Sequence, residues 1–107
     1  MTAMQMMSAL SQATRLSVFT ILAAQHPAGL SAGELATKTN TPANTMSAHL
    51  AILSRAGLVT SSKEGRVVTY TACPSVVREL SAFLTQICGA IRPPMQGSSE
   101  KQIQISN

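Results

Sequence analysis

The sequence predicts a mainly α fold with one small β-hairpin, and three observations carry that prediction. Stretches rich in Ala, Leu, Met and Gln alternate with breaks at Pro and Gly. A single β-branched stretch folds back on itself across a glycine. Over the last long segment, apolar residues recur at three- and four-residue steps.

The first helix is expected from Met4 to Ala24, stopped by His26-Pro27-Ala28-Gly29. Leu16, Phe19 and Ala23 share one stripe of it, widened by Val18 and Ile21–Leu22, so its second half should be buried. Arg15 is its only charge. The early methionines (Met1, Met4, Met6, Met7) read as packing residues rather than a copper site.

Ser31-Ala32-Gly33-Glu34 has the form of a capping box and opens a short helix, roughly Ala32 to Thr39. Asn40-Thr41-Pro42 ends that helix and starts the next, with Thr41 as N-cap and Pro42 at the first helical position. The second helix runs to about Ala56, and Gly57 stands where a left-handed cap belongs. Two helices joined by so short a turn form a helix-turn-helix.

Leu58–Ser62 and Val67–Ala72 bracket Lys63-Glu64-Gly65-Arg66 and predict a hairpin. A helix-turn-helix followed at once by a hairpin is the winged-helix order. From Ser75 to Ile91 the final helix carries Val77, Leu80, Phe83, Leu84, Ile87 and Ile91 on one stripe. Pro93-Pro94 ends it. Residues 1–92 thus form one domain, and residues 93–107 a polar, flexible tail.

Composition narrows the function. With 45% hydrophobic and 11% charged residues the chain is globular rather than disordered. Its three aromatic residues, Phe19, Tyr70 and Phe83, cannot build the stacking platforms of single-strand and RNA readers. The net charge of +4 therefore points to phosphate contacts on a duplex. No apolar run approaches the ~20 residues of a membrane span. Met1 to Leu10 holds no Lys or Arg and does not read as a signal peptide. The two cysteines make no disulfide framework, and the expected setting is reduced and cytoplasmic. Two histidines, four glutamates and no aspartate supply little for acid–base catalysis, so no enzyme is expected.

Projected at about 100° per residue, Met46, Leu50 and Leu53 cluster on the inward face of the second helix of the pair, with Ala43 beside them. Asn44, Ala48 and Arg55 point the opposite way, and Thr45, Ser47 and His49 flank. Short hydrogen-bonding side chains around a small Ala suit approach to base edges in the major groove. Asn44 can bond adenine bidentately, Ser47 and Thr45 can take bases or phosphates, and Thr41 lies at the helix start. Taken singly, such residues also serve as caps or face water. His49 suits a phosphate or a neighbouring backbone group equally. Lys63 and Arg66, at the hairpin tip, suit phosphate or minor-groove contact.

Here the residues resemble a known family, the ArsR/SmtB-type bacterial repressors. Leu-Ser-Gln-Ala-Thr-Arg-Leu, from Leu10 to Leu16, resembles its opening motif. Glu34-Leu35-Ala36, the run from Thr45 to Leu53, and Ala56-Gly57-Leu58-Val59 resemble its helix-turn-helix signature, and Glu64 to Tyr70 resembles its wing. The likeness runs from about residue 9 to 91. It implies a winged helix-turn-helix homodimer, paired through terminal helices, that binds a double-stranded palindromic operator and leaves it when an inducer binds. It further implies that Asn44, Thr45, Ser47 and His49 contact the operator, with the wing on the flanking backbone. Neither familiar metal site of the family carries over. The positions of its paired cysteines hold Ser31 and Gly33, and Ser75 to Ile91 offers only Glu79.

Cys73 and Cys88 are the remaining soft ligands. Within one subunit the intervening helix holds them roughly 20 Å apart, too far for a disulfide or a shared ion. If two last helices pair antiparallel about a two-fold axis, Cys73 of one subunit approaches Cys88 of the other. Such a pair could hold a trivalent arsenical or form an intersubunit disulfide. Equally, each can be a small buried hydrophobe. The competing function class is a winged helix used only for dimerisation or docking, without operator recognition.

Overall fold

The computed structural model describes residues 2–90 of the chain. The expected helix over Met4–Ala24 is in fact two, α1 (Ala3–Leu10) and α2 (Ala13–Gln25). Neither Pro nor Gly makes the break; side chains do. Ser11 Oγ donates to the Ser8 carbonyl at 2.7 Å, and the extended Gln12 caps α2 by accepting from the Arg15 N–H at 2.8 Å. Gln is an uncommon cap, which is why the break left no mark in the pattern. The kink lets Ala9 of α1, and Val18, Phe19 and Leu22 of α2, reach one core, and Met6 of α1 is buried as well. The expected burial of Leu16 and Ala23 is corrected: both are exposed.

After α2 the chain forms a two-residue strand, β1 (Leu30–Ser31), that the sequence pattern did not announce. It becomes the third strand of an antiparallel sheet with β2 (Val59–Glu64) and β3 (Val67–Ala72), in the order β1-β3-β2. Leu30 pairs with Tyr70 and Ser31 with Thr69. Gly29 makes this approach possible, since a Cβ there would collide with the Tyr70 carbonyl oxygen and lie 2.7 Å from Thr69 Cγ2 and Thr71 Oγ1.

Ser31 then caps α3 (Ala32–Lys38) in a complete capping box with Glu34. In the turn that follows, Thr41 N–H donates to the Ala36 carbonyl at 2.9 Å and Asn40 N–H to the Thr37 carbonyl at 3.2 Å. This is a Schellman motif, with Asn40 at φ 52 in the left-handed position that Asn tolerates. The recognition-helix candidate, α4, spans Ala43–Arg55. Its N-cap is Pro42, without a side-chain cap bond, and not Thr41 as expected. The Thr41 hydroxyl is instead engaged with Thr39, 2.8 Å from its hydroxyl and donating to its carbonyl at 3.2 Å.

A second Schellman motif closes α4. Gly57, at φ 76, donates to the Ser54 carbonyl at 2.9 Å, and Leu58 N–H to the Leu53 carbonyl at 3.0 Å. The chain leaves directly into β2. The hairpin turn is tighter than expected, with Lys63 and Glu64 inside β2 and only Gly65-Arg66 in the loop. Gly65, at φ 63, supplies the left-handed first position. The final helix, α5 (Pro74–Ala90), begins after the Cys73 N–H donates to the Leu58 carbonyl at 2.9 Å. Ile91 and the tail at 93–107 lie outside the described residues.

The core gathers Leu22, Leu35, Met46, Leu50, Leu53 and Leu58, with Val18, Phe19 and Val59 around them. Among the described residues no polar or charged side chain is buried, and no helix is long and apolar enough to cross a membrane.

Gly29→Ala forces backbone apart at the β1–β3 seam and should cost about 1–3 kcal/mol. Gly33→Ala, whose Cβ would meet only Ser31 Oγ at 3.9 Å, should gain up to about 1 kcal/mol in α3. Urea unfolding of the two variants beside the parent checks both signs.

Candidate nucleic-acid interface

Three side chains anchor α4 and thereby orient it. Met46, Leu50 and Leu53 are at most 1% exposed, so the opposite face must point outward. On that face Asn44, Thr45, Ser47 and Ala48 are all exposed, as the projection predicts. Ala43, expected beside the inward stripe, is exposed as well.

Asn44 Oδ1 accepts from the Thr45 N–H at 2.9 Å, so its side chain folds onto the start of the helix. Its amide nitrogen stays available as a donor. Thr41 is half-buried in the turn, its hydroxyl occupied by Thr39. His49 is half-buried on the flank, and its partner is a side chain rather than backbone: Nδ1 lies 3.4 Å from Arg15 Nη1. Arg15 is the residue that sequence reasoning missed. Its signal was being the lone charge in an otherwise neutral helical stretch.

Arg55 is exposed but stands apart from this group. It lies eleven residues beyond Asn44, about 16 Å along the axis, and borders a groove with Met4, Gln5 and Ser8 of α1. There it complements the negative end of the α4 dipole. Lys63 and Arg66 are exposed on the wing, Lys63 opposite Val68 and Arg66 in the loop. Of β2, only Val59 is buried, so the rest of the strand, Lys63 included, is exposed to solvent.

The last helix presents a different surface. Val77 and Leu80 are half-buried, Val77 against the core, whereas Phe83, Leu84 and Ile87 are 40–44% exposed. Val77, Leu80, Leu84 and Cys88 line one open, largely apolar groove. Cys73 is half-buried before the helix and Cys88 exposed near its far end, so neither is a buried hydrophobe in a single chain. Met4, at 75% exposed, and Met7 extend the uncovered apolar surface on α1.

The positions of the family's paired metal-binding cysteines are structurally spent. Ser31 caps α3 and Gly33 has no side chain, so no thiolate metal site fits there.

A family model described as a helix-turn-helix domain matches residues 10–62. No curated protein matches the chain. Among solved structures, an ArsR-like transcriptional regulator from Rhodococcus sp. RHA1 is 31% identical, over 82% of this chain and 80% of that one, with a TM-score of 0.73. HlyU, a transcriptional regulator from Vibrio vulnificus CMCP6, is 33% identical over 80% and 88%, with a TM-score of 0.60. A homodimeric winged helix-turn-helix DNA-binding domain from Mycobacterium bovis, described as a possible ArsR-family regulator, is 28% identical over 80% and 76%, with a TM-score of 0.63. Fold order, wing and sequence likeness agree, and the chain belongs to the ArsR/SmtB-type family of winged-helix transcriptional regulators.

Proposed function

We propose that the chain is a homodimeric, sequence-specific repressor of transcription that binds a palindromic operator in double-stranded DNA. The observation that carries this reading is the outward half of α4, where Asn44, Thr45, Ser47 and Ala48 form a face free of bulk. Such a face enters a major groove without obstruction, and its polar groups reach base edges. Lys63 and Arg66 on the projecting wing supply flanking phosphate contacts. Arg55, exposed at the other end of α4, suits a phosphate contact rather than a base edge.

The uncovered stripe of Phe83, Leu84 and Ile87, beside half-buried Val77 and Leu80, supports pairing through α5. The M. bovis relative is homodimeric. Two-fold pairing sets two copies of α4 on half-sites one helical turn apart, or a multiple of it.

Release follows when an inducer occupies the dimer. Cys73 and Cys88, at opposite ends of α5, are both reachable in the single chain, which supports a thiol-reactive inducer such as a trivalent arsenical or an oxidant. In an antiparallel α5 pair, Cys73 of one subunit and Cys88 of the other stand at the same end of the interface.

Asn44→Ala should relax sequence preference by about 1–3 kcal/mol at one base pair. Lys63→Ala and Arg66→Ala should instead weaken all duplexes alike, each flattening the salt dependence by about one unit of slope. Gel shifts on specific and random duplexes across a salt series separate the two behaviours. Equal loss on both in all three variants, or no duplex binding by the parent, favours the docking module.

Ile87→Glu places a charge in the apolar stripe and should yield a folded monomer, read by sedimentation velocity. Release of the operator by arsenite, an organoarsenical or peroxide should vanish in the Cys73→Ser/Cys88→Ser double variant; release that persists there ends the thiol reading.

A further inference from the structure

Arg15 sits where three helices meet. It is the only Lys, Arg, Asp or Glu before Glu34. From the first turn of α2, its Nε donates to the Ala9 carbonyl of α1 at 2.7 Å, and its Nη1 lies 3.4 Å from His49 Nδ1 on α4. A guanidinium carries only donors and keeps its proton. The imidazole nitrogen that faces it is therefore the acceptor, which leaves the His49 proton on Nε2. That atom lies across the ring from Arg15, where no group among the described residues takes it up, and it is not buried. His49 follows Thr45 by one turn on the same flank of α4, at the edge of the face that carries Asn44 and Ala48.

We propose that Arg15 is a positioning residue for DNA reading: it holds His49 as the Nε2–H tautomer, so that His49 donates to a phosphate oxygen of the duplex. Arg15 itself stays off the DNA, half-buried with two nitrogens engaged inside the protein. The planar fork of the guanidinium suits the arrangement, because Nε and Nη1 address the Ala9 carbonyl and His49 from two nitrogens held in one fixed geometry, which the flexible ammonium of a lysine does not preset. This inference rests on the DNA-binding reading above.

The test has a spectroscopic arm and a binding arm. Side-chain ¹⁵N NMR of the free chain, at mildly alkaline pH where imidazole is neutral, should show His49 with Nε2 protonated and Nδ1 bare. In Arg15→Met that single tautomer should give way to a mixture. Arg15→Met and His49→Ala should each lower duplex affinity about tenfold, and the double variant should lose no more than the larger single loss. Arg15→Lys, which keeps the charge and can still donate to the Ala9 carbonyl but lacks the planar fork, should not restore affinity. It also carries the same cycle if Arg15→Met fails to fold, as judged by thermal unfolding. An Nδ1–H tautomer in the parent, additive losses, or unchanged affinity in the Arg15 variants overturns the inference while leaving DNA binding intact. A parent chain that binds no duplex at low salt overturns both.

Discussion

Everything in this molecule is arranged around the burial of one stripe of α4. Met46, Leu50 and Leu53 meet α1, α2, α3 and β2 at a single core, and each contributes about 1.5–3 kcal/mol by leaving water. Rotating α4 by even a third of a turn would expose that stripe and bury Asn44 and Ser47 without partners. The outward face of α4 is thus oriented by the hydrophobic effect acting on the opposite side of the helix.

The ends of the helices show how the backbone is satisfied without burying polar side chains. Capping boxes open α1 and α3, and Schellman motifs close α3 and α4. Both Schellman closures need a left-handed residue, supplied by Asn40 in one and Gly57 in the other. They also set the two directions that matter for the site. The first aims α4 away from α3, and the second sends the chain straight into the wing. The β1–β3 pairing braces the middle of β3, and the tip with Lys63 and Arg66 projects beyond it.

Much of this was legible in the residues. The capping box at Ser31, the glycine at 57, the hairpin glycine at 65 and the inward stripe of α4 are local signals, and local signals survive folding. What was not legible depended on distant partners. The break at Ser11-Gln12 arises from a glutamine cap and from where the core lies, neither of which a periodicity records. The strand at Leu30–Ser31 is too short to alternate and exists only because Gly29 allows β3 to come close. In the candidate site, outward exposure of Asn44, Thr45 and Ser47 followed from geometry on one helix. The partner of His49 did not, since Arg15 lies 34 positions away.

The division of labour within α4 has an evolutionary consequence. The residues that fold the helix and those that face outward share no positions, and the outward ones contribute nothing to the core. Substitutions at Asn44, Thr45, Ser47 or Ala48 therefore change the chemistry presented to a partner at little cost to folding. A lineage built on this scaffold can drift from one recognition sequence to another through a series of stable intermediates. Change on the opposite face of the same helix is confined to volume-conserving apolar exchange. One helix thus carries fully buried and solvent-facing positions side by side.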